Sequence, residues 1–148
     1  MPAITSSVEI ARTPEAVFAY LDEVTRHGEW QDGLLSAKLE TDGPVGVGTR
    51  VTEVRKIGGR ELTMSYEITE HDPPHAFAFR VLDGPIRPVG RATIEALADG
   101  AGSRVTLDLD LVSHGLMGKA LVGMARSQAA KQLPEDQQRL KAKLESQN

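Results

Sequence analysis

Glu53 and Arg55 are the side chains best placed in the sequence for acid–base chemistry. They lie two positions apart in a segment with the alternating pattern of a β-strand, so both point to the same face. If Val51 faces the interior, both charges are buried and must pair with each other or with a ligand, since burying an unpaired charge is costly. If Val54 faces the interior, both lie in solvent. Tyr66 is a related case, because its ring suits the core while its hydroxyl needs a partner there. The sequence leaves these alternatives open.

The histidines indicate neither a metal centre nor a catalytic triad. His71 and His75 flank a double-proline turn, so their spacing does not place them on one helical face, and we expect them in solvent. His114 follows the last predicted strand beside Gly115, where it could shuttle protons, cap the following helix or lie at the surface. Ser113, the only serine beside a histidine in the sequence, lacks the context of a nucleophile elbow. We therefore assign no catalytic residue and no metal ligand.

The composition excludes several classes of function. The chain has 148 residues, a net charge of -4 and no cysteine. Disulfides, thiolate catalysis and Cys-ligated zinc are excluded, and the charge disfavours a nucleic-acid surface. Gly43, Gly46 and Gly48 match neither a P-loop nor a dinucleotide fingerprint, so we predict no cofactor. No apolar run approaches the ~20 residues that span a bilayer, and no secretory signal is present. We expect a cytoplasmic protein without stable membrane insertion.

The elements that must position these residues are strands followed by one long helix. Nearly everything between Ile4 and Ser113 has the pattern of strand or turn, with two short helices after the first strand. The segment from Leu116 to Glu145 is predicted as a single helix, which must bury its apolar side against the sheet. We predict one α+β domain over residues 1–148, in which a seven-stranded antiparallel sheet wraps around the C-terminal helix.

The long helix shows two apolar faces. Met117, Leu121 and Met124 share one face in its first half, whereas Leu140 and Leu144 share another in its second half. We predict that the buried stripe changes face near Pro134, with a kink or a break there. The first face is either ordinary core or the wall of a cavity. The charged residues from 135 to 145 are expected to form ion pairs on the helix surface.

Short motifs in a fixed order resemble a known superfamily. Residues 13–18, Thr-Pro-Glu-Ala-Val-Phe, open the first helix, and Trp30 follows it. The glycine-rich turn 43–48 precedes the third strand, Asp-Pro-Pro at 72–74 separates two strands, and residues 140–145 close the chain. Together they resemble the helix-grip proteins of the SRPBCC group, which includes polyketide cyclase/dehydrase-like, START-type lipid-transfer and pollen-allergen-like domains. The resemblance covers almost the whole chain. It implies an apolar cavity between the sheet and the C-terminal helix, and little about activity.

From the shared phase of the strands and the helix we predict one interior volume that binds a ligand. Its expected lining, with Glu53 and Arg55 added if they face inward, is Trp30, Met64, Tyr66, Phe77, Phe79, Leu107, Leu109, Met117, Leu121 and Met124.

Three functions remain open. The first is binding of a small hydrophobic, lipid- or polyketide-like ligand as a carrier or sensor, and we expect binding rather than catalysis. The second is a cyclase/dehydratase-like enzyme that uses the same cavity, favoured if Glu53, Arg55 or Tyr66 lies in a water-accessible pocket. The third is an interaction module whose cavity is filled. A homodimer is also an open alternative.

Overall fold

The fold is taken from a computed structural model that describes residues 4–57 and 59–147, without the side chain of residue 57. Its elements in chain order are β1 (Ile4–Ile10), α1 (Pro14–Leu21), a 3-10 helix (Val24–Glu29), β2 (Leu34–Leu39), β3 (Arg50–Ile57), β4 (Arg60–Asp72), β5 (Ala76–Val81), β6 (Ile86–Ala96), β7 (Ser103–Ser113) and α2 (Gly115–Glu145).

The seven strands form one antiparallel sheet in the order β1-β7-β6-β5-β4-β3-β2. Each strand from β2 to β7 therefore pairs with its neighbour in sequence, while β1 closes the far edge beside β7. Register shifts interrupt the β2–β3 pairing near Leu34 and the β4–β5 pairing near Ile68. Such bulges bend a sheet, and the predicted α+β class with a sheet around a long helix is confirmed.

The first helix begins where the sequence predicts. Pro14 occupies the first turn of α1, and the Thr13 hydroxyl oxygen accepts a hydrogen bond from the Ala16 backbone N–H at 3.2 Å. This N-cap satisfies one of the free donors at the start of the helix. Val17, Phe18 and Leu21 of α1 are buried. The first helix thus packs its apolar side into the core.

Two clusters of buried apolar side chains form the core. The first core cluster joins β1, α1, β6, β7 and the second half of α2, through Val8, Ile10, Val17, Phe18, Tyr20, Leu21, Trp30, Ile94, Val105, Leu140 and Leu144. The second core cluster joins the 3-10 helix to β3, β4 and β5, through Val24, Val51, Tyr66, Ile68 and Val81.

The long helix α2 runs unbroken through Pro134, so the predicted break at that residue is wrong. The predicted change of face is also wrong. A single stripe continues along the helix at spacings of three and four residues and is buried or half-buried throughout; its members are Gly118, Val122, Ala125, Ala129, Leu133, Asp136, Leu140 and Leu144. The expected stripe followed the largest apolar side chains. The inward positions of the first half carry small residues instead, so the large ones lie on a flank.

The long helix α2 lies over one half of the inward sheet face, the half formed by β1, β7 and β6. Its main packing is against β1, β7, β6 and the 3-10 helix. The inward faces of β3, β4 and β5 are packed in part by Val24 of the 3-10 helix, and α2 makes few close contacts with them. Among the described residues, no helix combines the length and the apolar character needed to cross a bilayer.

Candidate ligand-binding site

Glu53 and Arg55 face the interior. Val51 is fully buried, Glu53 is only 3% exposed, and Arg55 is half-buried. Arg55 Nε donates to Glu53 Oε1 at 3.1 Å, and a terminal nitrogen of its guanidinium donates to the Gln31 side-chain oxygen. Of the two alternatives that the sequence left open, the structure therefore shows the inward one. The ion pair compensates part of the cost of burying the carboxylate.

Tyr66 lies beside this pair on the next strand. It is paired with Val51, while Glu53 is paired with Met64, so Tyr66 and Glu53 are diagonal neighbours on one face. In the described part of the chain the Tyr66 hydroxyl forms no hydrogen bond, and it is not among the enclosed polar atoms. Burial, followed by the nearby Glu53 carboxylate, raises the pKa of Tyr66 well above its usual value. The hydroxyl therefore stays neutral near pH 7 and can donate a hydrogen bond.

His27 is a second buried polar group near the pair, and sequence reasoning did not find it. Its Nε2 donates to the Leu21 carbonyl oxygen at 2.7 Å, and its ring meets Trp30 edge-on at 5.5 Å. Burial lowers the pKa of His27, so the imidazole is neutral. Trp30 Nε1 is a fully buried donor without a partner among residues 4–57 and 59–147. His27 therefore lies near the Glu53–Arg55 pair, with Trp30 packed against its ring.

Asp136 brings a carboxylate from α2 to the same region. It accepts from the Asp32 backbone N–H at 3.2 Å and from Gln132 Nε2 at 2.9 Å, and Arg139 lies 3.6 Å away. Burial raises the pKa of Asp136 despite these contacts. The sequence predicted a surface charge here, and that prediction is wrong. The connection between the 3-10 helix and β2 covers this residue, a contact that helical periodicity does not encode.

The other histidines lie outside this region. His71 is half-buried rather than exposed as predicted, because β4 extends to Asp72 and places its Nε2 2.8 Å from Asp22 Oδ1. His114 is the exposed residue before α2 and makes no capping hydrogen bond through its side chain. Within residues 4–57 and 59–147, neither His71 nor His114 forms a hydrogen bond with Glu53.

Half-buried apolar side chains continue from the polar residues across the inward face of the sheet. Met64 and Phe79 pack against the second core cluster, whereas Phe77 and Leu107 pack against the first. Leu109 is half-buried at the position paired with Gly90. The predicted lining therefore does not converge on one enclosed volume. Trp30 and Tyr66 belong to different core clusters, and the other side chains lie between them with part of their surface open.

The exposed apolar flank of α2 corrects the prediction for three further residues. Met117, Leu121 and Met124 are 66%, 37% and 68% exposed, so they do not cover the interior. The opposite flank of the helix faces β1, since Gln137 Nε2 donates to the Ser6 carbonyl oxygen and Lys141 Nζ to the Glu9 carbonyl oxygen. At 100° per residue, the three apolar side chains therefore face away from β1, toward the uncovered strands.

We take these surfaces together as the lining of a candidate open groove, which we call the sheet–helix groove. Its floor is Met64, Phe79 and Leu109, its rim is the flank of α2 at Met117, Leu121 and Met124, and its polar end is Glu53, Arg55 and Tyr66. It is apolar with a few convergent polar groups, which is the usual composition of a small-molecule site.

Two shallow depressions lie elsewhere on the surface. One, of about 340 Å³, lies between the 3-10 helix and the end of α2 and is lined by Glu29, Arg139, Ala142, Lys143 and Ser146. The other, of about 320 Å³, is lined by Glu15, Phe18, Ala19, Asp22, Pro73 and Pro74. Neither includes an inward-facing residue of β3 or β4. The candidate site is placed in the sheet–helix groove on the burial and composition of its side chains.

The sequence matches a family model along nearly its whole length. The model is described as polyketide cyclase/dehydrase and lipid transport, and it matches residues 1–145. The chain belongs to this family. The family lies within the SRPBCC superfamily that the sequence motifs resembled, and it combines enzymes with lipid-transport proteins under one fold.

Two solved structures and a curated relative are similar to the chain over most of its length. A protein from Thermus thermophilus superposes with a TM-score of 0.78 at 19% identity, over 98% of each chain. The ZhuI aromatase/cyclase from Streptomyces sp. R1128 gives 0.82 at 15% identity, over 97% of this chain and 93% of that one. An uncharacterized protein of Mycobacterium tuberculosis is 24% identical over 88% of this chain and 90% of its own. At these identities the likeness shows the fold.

Proposed function

We propose that this protein binds a small, mainly hydrophobic molecule in the sheet–helix groove, as a carrier or a sensor. The observation that carries the proposal is the row of half-buried apolar side chains on an inward sheet face that α2 does not close. Covering such surface with an apolar ligand is favourable by roughly 25 cal/mol per Å². Membership of a family that includes lipid transport supports the same function.

A cyclase- or dehydratase-like reaction in the same groove is a second candidate, favoured by the polar end of the site. Tyr66 can donate a hydrogen bond to a substrate carbonyl, and the adjacent Arg55 can stabilise negative charge that develops on it. Glu53, which is hydrogen-bonded to Arg55 and diagonal to Tyr66, would accept a proton from the substrate in this candidate. In this family the two candidates differ only in whether a bound ligand is converted, so turnover decides between them.

Binding is tested with the neutral fluorescent probe N-phenyl-1-naphthylamine. Leu109→Trp places a bulky side chain on the groove floor, and Val112→Trp places the same side chain on the opposite face of β7, where Val112 is exposed. We expect the wild type and Val112→Trp to bind the probe, and Leu109→Trp to bind it at least tenfold more weakly. Circular dichroism checks that both variants fold.

The outcomes separate the candidates. Absence of probe binding by the wild type contradicts the binding function, and unchanged binding by Leu109→Trp places the ligand outside the groove. Turnover of a β-hydroxyketone by the wild type, lost in Glu53→Gln with probe binding retained, supports the cyclase/dehydratase candidate. No turnover of such compounds leaves carrier or sensor as the function.

A further inference from the structure

We propose that the polar end of the groove selects ligands with a neutral oxygen-bearing head group, a hydroxyl or a carbonyl, over ligands with a carboxylate. The inference rests on the proposed function, because it concerns the same groove. A long-chain alcohol and a fatty acid can carry the same apolar tail, so the head group alone decides between them.

The arginine that would otherwise attract a carboxylate is already engaged. A free guanidinium binds a carboxylate through two parallel hydrogen bonds. Here Arg55 Nε donates to Glu53 Oε1 at 3.1 Å, and another nitrogen of the same guanidinium donates to Gln31. The positive charge of Arg55 is thereby balanced within the protein before any ligand arrives.

The positive charge of Arg139, the other arginine in this region, is also balanced by carboxylates. Arg139 lies 3.6 Å from Asp136 and 3.8 Å from Asp32. His27, which lies near the pair, is held neutral by burial. A ligand carboxylate placed beside Glu53 therefore meets a negative charge with no uncommitted cation among these groups. Because Glu53 is only 3% exposed, water screens its charge weakly, and a second ionised carboxylate beside it is disfavoured.

A neutral head group finds the partners that it needs. Among the residues that the structure describes, Glu53 Oε2 accepts no hydrogen bond, and the Tyr66 hydroxyl makes none. The two groups are diagonal neighbours on adjacent strands. A ligand hydroxyl can donate to Glu53 and accept from Tyr66, and a ligand carbonyl can accept from Tyr66. Both hydrogen bonds form without adding charge to the site.

The test compares two competitors with equal tails. N-phenyl-1-naphthylamine bound to the full-length protein is displaced by 1-decanol or by decanoate at about pH 8. Since an alcohol enters any apolar site more readily than a carboxylate, the deciding quantity is how the decanol-to-decanoate affinity ratio changes among variants. Glu53→Gln removes the carboxylate and leaves Arg55 charged. We expect its ratio to fall at least tenfold below that of the wild type.

Glu67→Gln is the matched control. Glu67 lies in β4, pairs with Arg80 on the outward face, and loses the same charge when it is substituted. We expect it to keep the wild-type ratio. Equal ratios in Glu53→Gln and Glu67→Gln would overturn the inference.

A second variant keeps the test decisive if Glu53→Gln does not fold. Tyr66→Phe removes only the hydroxyl, and we expect it to weaken decanol several-fold while decanoate is unchanged. An equal effect on both competitors, or none, contradicts the inference. If the probe binds and both competitors displace it equally in all variants, head-group selection is refuted and the binding function stands. If the wild type does not bind the probe, the binding function itself is refuted.

Discussion

The ring of Phe79 lies over the backbone of Gly90 on the neighbouring strand, at the place that a side chain at position 90 would take. The two residues are directly paired between β5 and β6. A β-carbon added at Gly90 would stand 2.6 Å from Cζ of the Phe79 ring, which is far inside van der Waals contact. The glycine thus makes room for the aromatic side chain that forms the middle of the groove floor.

We expect Gly90→Ala to displace the Phe79 ring, to lower the free energy of unfolding by about 1–3 kcal/mol, and to weaken probe binding. Gly123→Ala is the control, because a β-carbon there meets nothing within 4 Å and the residue lies inside α2. Alanine in a helix interior is favourable, so this variant should gain up to about 1 kcal/mol. Urea denaturation measures both, and equal effects would contradict the close approach of Phe79.

Leu109→Ala should cost less stability than Leu140→Ala, although the chemistry of the two substitutions is the same. Leu140 is fully buried in the first core cluster, so its truncation should cost about 3–5 kcal/mol. Leu109 is half-buried on the groove floor and should lose about 2 kcal/mol or less. Denaturant titration of both variants provides the comparison. A larger loss for Leu109→Ala would mean that the groove is closed and packed at this point.

Arg55→Met should destabilise the fold by about 3 kcal/mol, because it leaves the buried Glu53 carboxylate without its ion-pair partner. Adding Glu53→Gln to Arg55→Met should recover a large part of this loss, since no buried charge remains. For comparison, Arg80→Met breaks the outward pair with Glu67, in which the arginine side chain is more than half exposed. That variant should lose about 1 kcal/mol or less. Equal losses of stability in Arg55→Met and Arg80→Met would mean that the Glu53–Arg55 pair faces solvent.

His27 should make the folded state less stable in mild acid. Its pKa is lowered in the folded state by burial, so the unfolded chain binds a proton more readily than the folded one. Its contribution is therefore fully present above the unfolded pKa of about 6.5. It declines as the pH falls below that value toward the folded pKa. Between about pH 7.5 and pH 5.5 the loss can reach about 1.4 kcal/mol.

The measurement for His27 is the urea midpoint at the two pH values. His27→Gln should remove most of this loss, because the unfolded chain then has no imidazole to protonate at this position. His75→Gln, which replaces an exposed histidine between β4 and β5, should keep the wild-type dependence. The same pH dependence in both variants would assign it to another group.

The sequence was sufficient for the sheet, for α1 with its cap at Thr13, and for the single long helix, because these depend on local periodicity and turn residues. The sequence could not show which face of β3 carries Glu53 and Arg55. Valines at positions 51 and 54 offer an apolar side chain to either face of β3, and the choice depends on pairing with Tyr66 in β4.

Other features depend on contacts between distant segments. The inward stripe of α2 was assigned to the wrong face because size was taken as the sign of burial, whereas Gly118, Ala125 and Ala129 occupy inward positions. Asp136 is buried by Asp32 and its neighbours, which lie about a hundred residues away in the chain. A sequence pattern carries no record of such neighbours.

The small residues on the inward side of α2 have a consequence for how a ligand enters. Leu140 and Leu144 anchor the second half of the helix in the first core cluster, while the first half buries little apolar surface beneath it. The free energy of local opening is therefore lower for the first half than for the whole domain, and its amide hydrogens should exchange faster. We expect residues 115–130 to open before residues 131–145 in a hydrogen-exchange experiment. In the proposed binding function, opening of this half of α2 would control the rate at which the ligand enters.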